Sequence, residues 1–168
     1  AASAQDGSEL LTATGGQLSM TFYRGNVNDA GITLEGARRL DFQHDIASLK
    51  LPRNTSLTFR AINGYFSRLE GGRLPMAAGL TFDLKGLKLN SKDLLVNPTP
   101  FRRDTLRISD AQDADWFYLD YGHYERKGQW LYARFLDIRI GRDLADRLGD
   151  PTLLGHIVGF ATLETRIQ

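Results

Sequence analysis

A chain of 168 residues, 42% hydrophobic and 24% charged, has the size and composition of one globular domain, which excludes wholesale disorder. Lysine plus arginine exceeds aspartate plus glutamate by one (21 against 20), so no broad positive field attracts nucleic acid or anionic lipid. Cysteine is absent, which excludes thiol catalysis, disulfides and cysteine-ligated zinc, and no apolar run approaches the ~20 residues of a membrane-spanning helix.

The chain opens on Ala1-Ala2-Ser3-Ala4, small residues of the kind that surround a signal-peptidase site, so the expected location is outside the cytoplasm, extracellular or periplasmic. An appended cloning remnant is the bland alternative. Residues 1–17 are small and polar apart from Leu10 and Leu11 and end at Gly15-Gly16, which predicts an extended leader followed by a single domain over residues 18–168. Alternating apolar residues then mark strands at Leu18–Phe22, Ile32–Leu34 and Ala47–Leu51, the last stopped by Pro52. Leu57–Ala61 and Tyr65–Leu69 flank Asn63-Gly64, the strongest hairpin signal in the chain. Leu80–Leu89 reads as one strand bent or bulged at Gly86, and Leu94–Val96 as a short strand before a proline-rich turn.

Further strands are predicted at Leu106–Ile108, Trp116–Tyr121 and Trp130–Ile140, with 122–128 as the loop joining the last two. In the long strand a strict two-residue period puts Trp130, Tyr132, Leu136, Ile138 and Ile140 on one face, and Leu131, Ala133 and Phe135 on the other. The period changes to 3.6 once: Asp143, Leu144, Leu148, the cap Gly149 and Pro151 describe a short helix. A second helical turn is expected from Asp150-Pro151 through Val158, and Ala161–Ile167 closes as a strand. The pattern predicts a mainly β protein: a two-layer antiparallel β-sandwich, jelly-roll-like, with one short helical insertion near the C-terminus, or alternatively a partly closed β-barrel.

Chemistry is sparse. Phosphate loops, serine elbows, dinucleotide fingerprints and zinc-helix motifs are all missing, so no catalytic residue is assigned, although a hydrolase with dispersed carboxylates stays open. Asp110, Asp113 and Asp115 present several oxygens within six residues and are the candidate calcium ligands, without the glycine and distal glutamate of an EF-hand. His44, His123 and His156 are too scattered to form a ligand motif. Asn54-Thr55-Ser56 is a glycosylation triplet, of meaning only in a eukaryotic secretory pathway.

The densest feature is aromatic. Trp116, Phe117, Tyr118, Tyr121, Tyr124, Trp130 and Tyr132 lie within seventeen residues, and in a hairpin alternate rings face opposite ways. Trp116, Tyr118, Tyr121, Tyr124, Trp130 and Tyr132 are therefore the candidate ligand or subunit contacts, with Leu10 and Leu11 as a second subunit contact. Two functions follow. The first is an exported structural subunit of a filament or layer, associating with copies of itself through sheet edges and its N-terminal segment. The second is a carbohydrate- or lipid-binding module that uses the aromatic hairpin 116–132.

Overall fold

The structure, a computed structural model, describes residues 7–53, 56–100 and 104–168. In chain order its elements are β1 (Ser8–Tyr23), α1 (Arg24–Ala30), β2 (Ile32–Glu35), β3 (Arg38–Arg39), β4 (His44–Leu51), β5 (Ser56–Ile62) and β6 (Tyr65–Pro75). They continue with β7 (Thr81–Leu84), β8 (Leu87–Asn90), β9 (Leu95–Pro98), β10 (Leu106–Ser109), β11 (Asp115–Asp120), β12 (His123–Lys127), β13 (Trp130–Ile140), α2 (Arg142–Leu148) and β14 (Ile157–Ile167). The protein is mainly β, as its alternation predicts.

The pairing closes on itself. Going round, β13 pairs β11, then come β10, β9, β6, β5 and β1, and β14 bonds both β1 and β13, so eight antiparallel strands form a ring. This corrects the expected two-layer sandwich to a closed barrel, the alternative reading, with β3, β4 and β12 as extra strands on its wall. Closure is physically favoured because a ring leaves few backbone N–H and C=O groups along an open edge. Leu18, Met20, Phe22, Leu57, Phe59, Leu136, Ile138, Ala161 and Leu163 are buried in one core. Gln17, Thr162, Glu164 and Arg166 alternate with them on the outside, the reverse of the pattern that faces lipid in a membrane barrel.

The predicted boundary at residue 17 falls inside β1. Ser8–Ala13 pair with Leu57–Ile62 of β5, and Gly16–Tyr23 pair with His44–Leu51 of β4, so this stretch is barrel wall and not a leader. Residues 1–4 and the pair 54–55 of the glycosylation triplet lie outside the described residues. The strand changes partner at Gly15-Gly16, where its register against β14 shifts between Thr14 and Gln17. Gly16 has φ +103°, and a Cβ there would run into the Glu164 carbonyl. Only glycine fits.

A second bulge corrects the faces of β13. Register against β14 shifts between Ala133 and Leu136, and Phe135 takes φ +57°. Leu131 and Ala133 thereby share the inner face with Leu136, Ile138 and Ile140, while Trp130 and Tyr132 turn outward. The bulge leaves Phe135 70% exposed in a left-handed conformation that a bulky side chain tolerates poorly. Phe135→Gly is therefore expected to be neutral or to stabilise by up to about 1 kcal/mol, read as a rise in the urea midpoint; a loss would show that the ring is held by contacts.

The turns follow local rules. Asn63 and Gly64 both have positive φ (52° and 84°), the two-residue turn predicted between β5 and β6. Lys85 and Gly86 do the same (54° and 95°), so 80–89 is a hairpin of β7 and β8, not one bent strand. Lys127 pairs Trp130, which shrinks the expected 122–128 loop to Gly128-Gln129 and makes His123–Lys127 a strand. The helix at Arg142–Leu148 ends at Gly149 in the left-handed region, as predicted. The second helical turn is limited to Pro151–Leu153, capped by Asp150, because β14 already starts at Ile157. The small sheet β2-β7-β8 covers one end of the barrel, where Phe82 lies 6.0 Å from Phe22 and 5.0 Å from Phe117.

Candidate functional site

The aromatic hairpin does not present one surface. Trp116 is buried, its indole N–H donating to Asp110 Oδ2 at 2.9 Å. Tyr118 is half-buried and donates to Asp115 Oδ2 at 2.8 Å; burial, then the neighbouring Asp115, pushes its phenol up to about 12. Tyr124 stacks on Phe66 at 4.4 Å, and burial, then the charges of Asp104 and Asp120, push its phenol up. Tyr121 is exposed under the Arg139 guanidinium, 4.9 Å from the ring centre. Only Trp130 and Tyr132 stay together on the outer wall, 6.4 Å apart and close to parallel. Leu10 is exposed opposite Arg60, and Leu11 packs partly on the core.

The acidic cluster is consumed internally. Asp110 Oδ1 accepts from the backbone of Gln112 and Ala114, an Asx turn that sets up β11. Asp113 and Asp115 both take the buried Arg107 guanidinium, with Asp115 Oδ1 at 2.6 Å from Nη1. The Asn97 carboxamide completes that network, accepting from Arg107 at 3.1 Å and donating to Ser109 Oγ at 2.8 Å. Among the described residues no group of three His, Asp or Glu side chains is placed to hold a metal ion. His44 pairs with Asp41, His123 is exposed on β12, and His156 lines a cleft of about 360 Å³ with Asn26 and Asp29, where Asn26 is already occupied by the Ile157 carbonyl.

What the fold does assemble on the outer wall is a cationic cleft beside Trp130. Where the Gly15-Gly16 bulge bends β1 away from β14, a cavity of about 380 Å³ opens, lined by Thr14, Gly15, Gly16, Arg53, Trp130, Arg166 and Gln168. Arg166 comes from β14 and stands over the Trp130 ring at 6.0 Å. Arg53 comes from the turn after β4, which the change of partner along β1 brings to the same place. Arg134 continues the strip, 4.7 Å over Tyr132. Among the described residues neither Arg53 nor Arg166 has an ion pair, in contrast to Arg60, Arg68, Arg107 and Arg139, each held by carboxylates. An unpaired guanidinium fork beside an indole face suits a ligand with a carboxylate, sulfate or phosphate on a partly apolar frame.

Neither arginine is a sequence candidate, because 113 residues separate them. The bulge that makes the cleft does leave a trace. Apolar inward positions run Leu11, Ala13 and then Leu18, Met20, Phe22, a switch from odd to even numbers that requires an irregularity between them.

No protein-family model and no curated protein matches the chain. Among solved structures the chain is similar to the C-terminal domain of HtaA from Corynebacterium glutamicum, with 8% identity and a TM-score of 0.46 over 94% of this chain and 99% of that one. At that level of likeness the barrel assignment rests on the strand pairings of this chain alone.

Proposed function

We propose that the protein is a non-enzymatic binding module that holds an acidic glycan in the cleft between Arg53, Arg166 and Trp130. The observation that supports this most directly is one cleft lined by Trp130 and by two arginines, Arg53 and Arg166, that have no carboxylate partner among the described residues. A planar indole stacks on the apolar face of a sugar ring, and the arginines take its carboxylates in bidentate fashion. Location outside the cytoplasm, where acidic polysaccharides accumulate, belongs to the same proposal. The assembly reading rests on sheet edges and on an N-terminal segment that adds to a neighbour's sheet, whereas Ser8–Thr14 and Gly16-Gln17 pair within their own barrel.

Titration of the Trp130 fluorescence with oligogalacturonate, beside neutral dextran, tests this. The acidic oligomer is expected to bind and dextran to bind at least tenfold more weakly. Arg53→Ala and Arg166→Ala are each expected to weaken binding about tenfold or more, the worth of a charge-assisted hydrogen bond at ~1.5 kcal/mol or above. Equal binding of the neutral polymer, or no binding of the acidic one, overturns the reading.

A further inference from the structure

We propose that the turn carrying Leu40 and Phe42 is a docking knob for an anionic lipid surface, a second binding element independent of the cleft. Phe42 is 89% exposed and Leu40 56%, at the tip of the hairpin formed by β3 and β4. An exposed phenylalanine in a loose loop would mean little. This one is built out by a fixed turn. Asp41 Oδ1 accepts from the Gln43 backbone at 2.8 Å, its carboxylate grips His44 Nδ1 at 2.8 Å, and the Leu40 backbone N–H donates to the His44 carbonyl at 2.9 Å. The Gln43 carbonyl accepts from the Arg24 backbone at 2.8 Å, which ties the tip to the start of α1. The turn therefore holds both apolar side chains in water, and paired exposure of this kind on a fixed tip marks a contact.

The charge beside the knob selects the occupant. Arg38 and Arg39 are exposed next to it, with the Arg39 guanidinium 5.4 Å over the Phe42 ring. The acid at the tip, Asp41, is engaged by the Gln43 N–H and His44, and the other nearby acid, Asp45, is paired with Arg24 at 3.5 Å. Although the whole chain is close to neutral, this corner presents two exposed guanidinium groups that have no carboxylate partner among the described residues, Arg39 being turned to the tip by its bond to the Asp41 carbonyl at 3.3 Å. The shape favours a bilayer over a protein. A leucine and a phenylalanine at a convex tip offer on the order of 300 Å² of apolar area, well short of the ~800 Å² per partner that a stable protein interface buries. A bilayer asks for no matching pocket: rings enter the headgroup region and arginines remain at the phosphates.

Co-sedimentation with phosphatidylcholine vesicles containing 30% phosphatidylserine, and with phosphatidylcholine alone, decides the matter on the full chain. The intact protein is expected to bind the mixed vesicles at least tenfold more tightly. Phe42→Ala should weaken that binding about tenfold or more, and Arg38→Gln about fivefold, with thermal unfolding unchanged because both side chains are exposed. Phe42→Trp should shift its emission to the blue on the mixed vesicles, which a purely electrostatic attachment would not produce. The proposal is overturned if the protein fails to pellet with the mixed vesicles, if Phe42→Ala pellets as well as the parent, or if the tip binds a soluble protein and no vesicle. Arg53→Ala and Arg166→Ala should leave vesicle binding as it is, so failure of the cleft and failure of the knob are separate results.

Discussion

Phe82→Ala is expected to cost about 4 kcal/mol of stability, the range for emptying a fully buried phenylalanine site. Phe82 is 1% exposed and carries the small sheet into the barrel, edge-on to Phe22 and tilted against Phe117. The neighbours are poorly able to collapse into the vacancy, because the hairpin that holds it is clamped from outside. Arg147 donates to the carbonyls of Leu84 and Lys85 at 3.0 and 3.1 Å, and Lys85 Nζ donates to the Leu148 carbonyl at 2.6 Å. Urea unfolding gives the stability change. Hydrogen exchange in β2, β7 and β8 is expected to accelerate before that in β13 and β14, since the three-stranded sheet loses its anchor while the ring keeps its pairing. A loss below about 1.5 kcal/mol would place Phe82 outside the load of the core.

Arg107→Ala is expected to cost about 3 kcal/mol, because it leaves Asp115 with its charge inside the wall and takes one partner from Asn97. The two carboxylates that Arg107 holds are not equivalent. Asp113 is 77% exposed and Asp115 20%, so water replaces the arginine at the first and not at the second. Asp113→Ala should therefore change stability by less than about 1 kcal/mol, while Asp115→Ala takes from the buried guanidinium its less exposed carboxylate and from the Tyr118 hydroxyl one acceptor, a loss of about 2 kcal/mol. Chemical denaturation of the three variants should rank Arg107→Ala as the most costly, Asp115→Ala next and Asp113→Ala as the mildest. Equal effects of the two aspartates would mean that Arg107 is not the centre of the network.

How far the sequence carries depends on the range of the interaction that decides each feature. Asn63-Gly64 forms its turn from two residues' own backbone preferences, and Gly149 ends α2 for the same kind of reason, so both are legible locally. The faces of β13 are decided by one extra residue at Phe135. Counting by twos across it misassigns Trp130 and Tyr132, although the switch of inward positions from Leu131 and Ala133 to Leu136 and Ile138 is visible once irregularity is allowed. The choice between sandwich and ring turns on whether β14 bonds β1, a pairing of Leu18 with Leu163 that no local pattern encodes. The cleft is least legible of all. Trp130 belongs to the aromatic cluster that composition exposes and Arg166 lies opposite it in the β13–β14 pairing, but Arg53, after β4, reaches them only through that same closure.

The position of β14 between β1 and β13 has a consequence for how the polypeptide is made. Its eleven residues bond both the first strand and the one before it, so the ring cannot close in synthesis before residue 167 is available to pair. Long-separated contacts of this sort make for slow maturation. The hydrophobic lining of the ring stays unfinished until β14 has joined both neighbours.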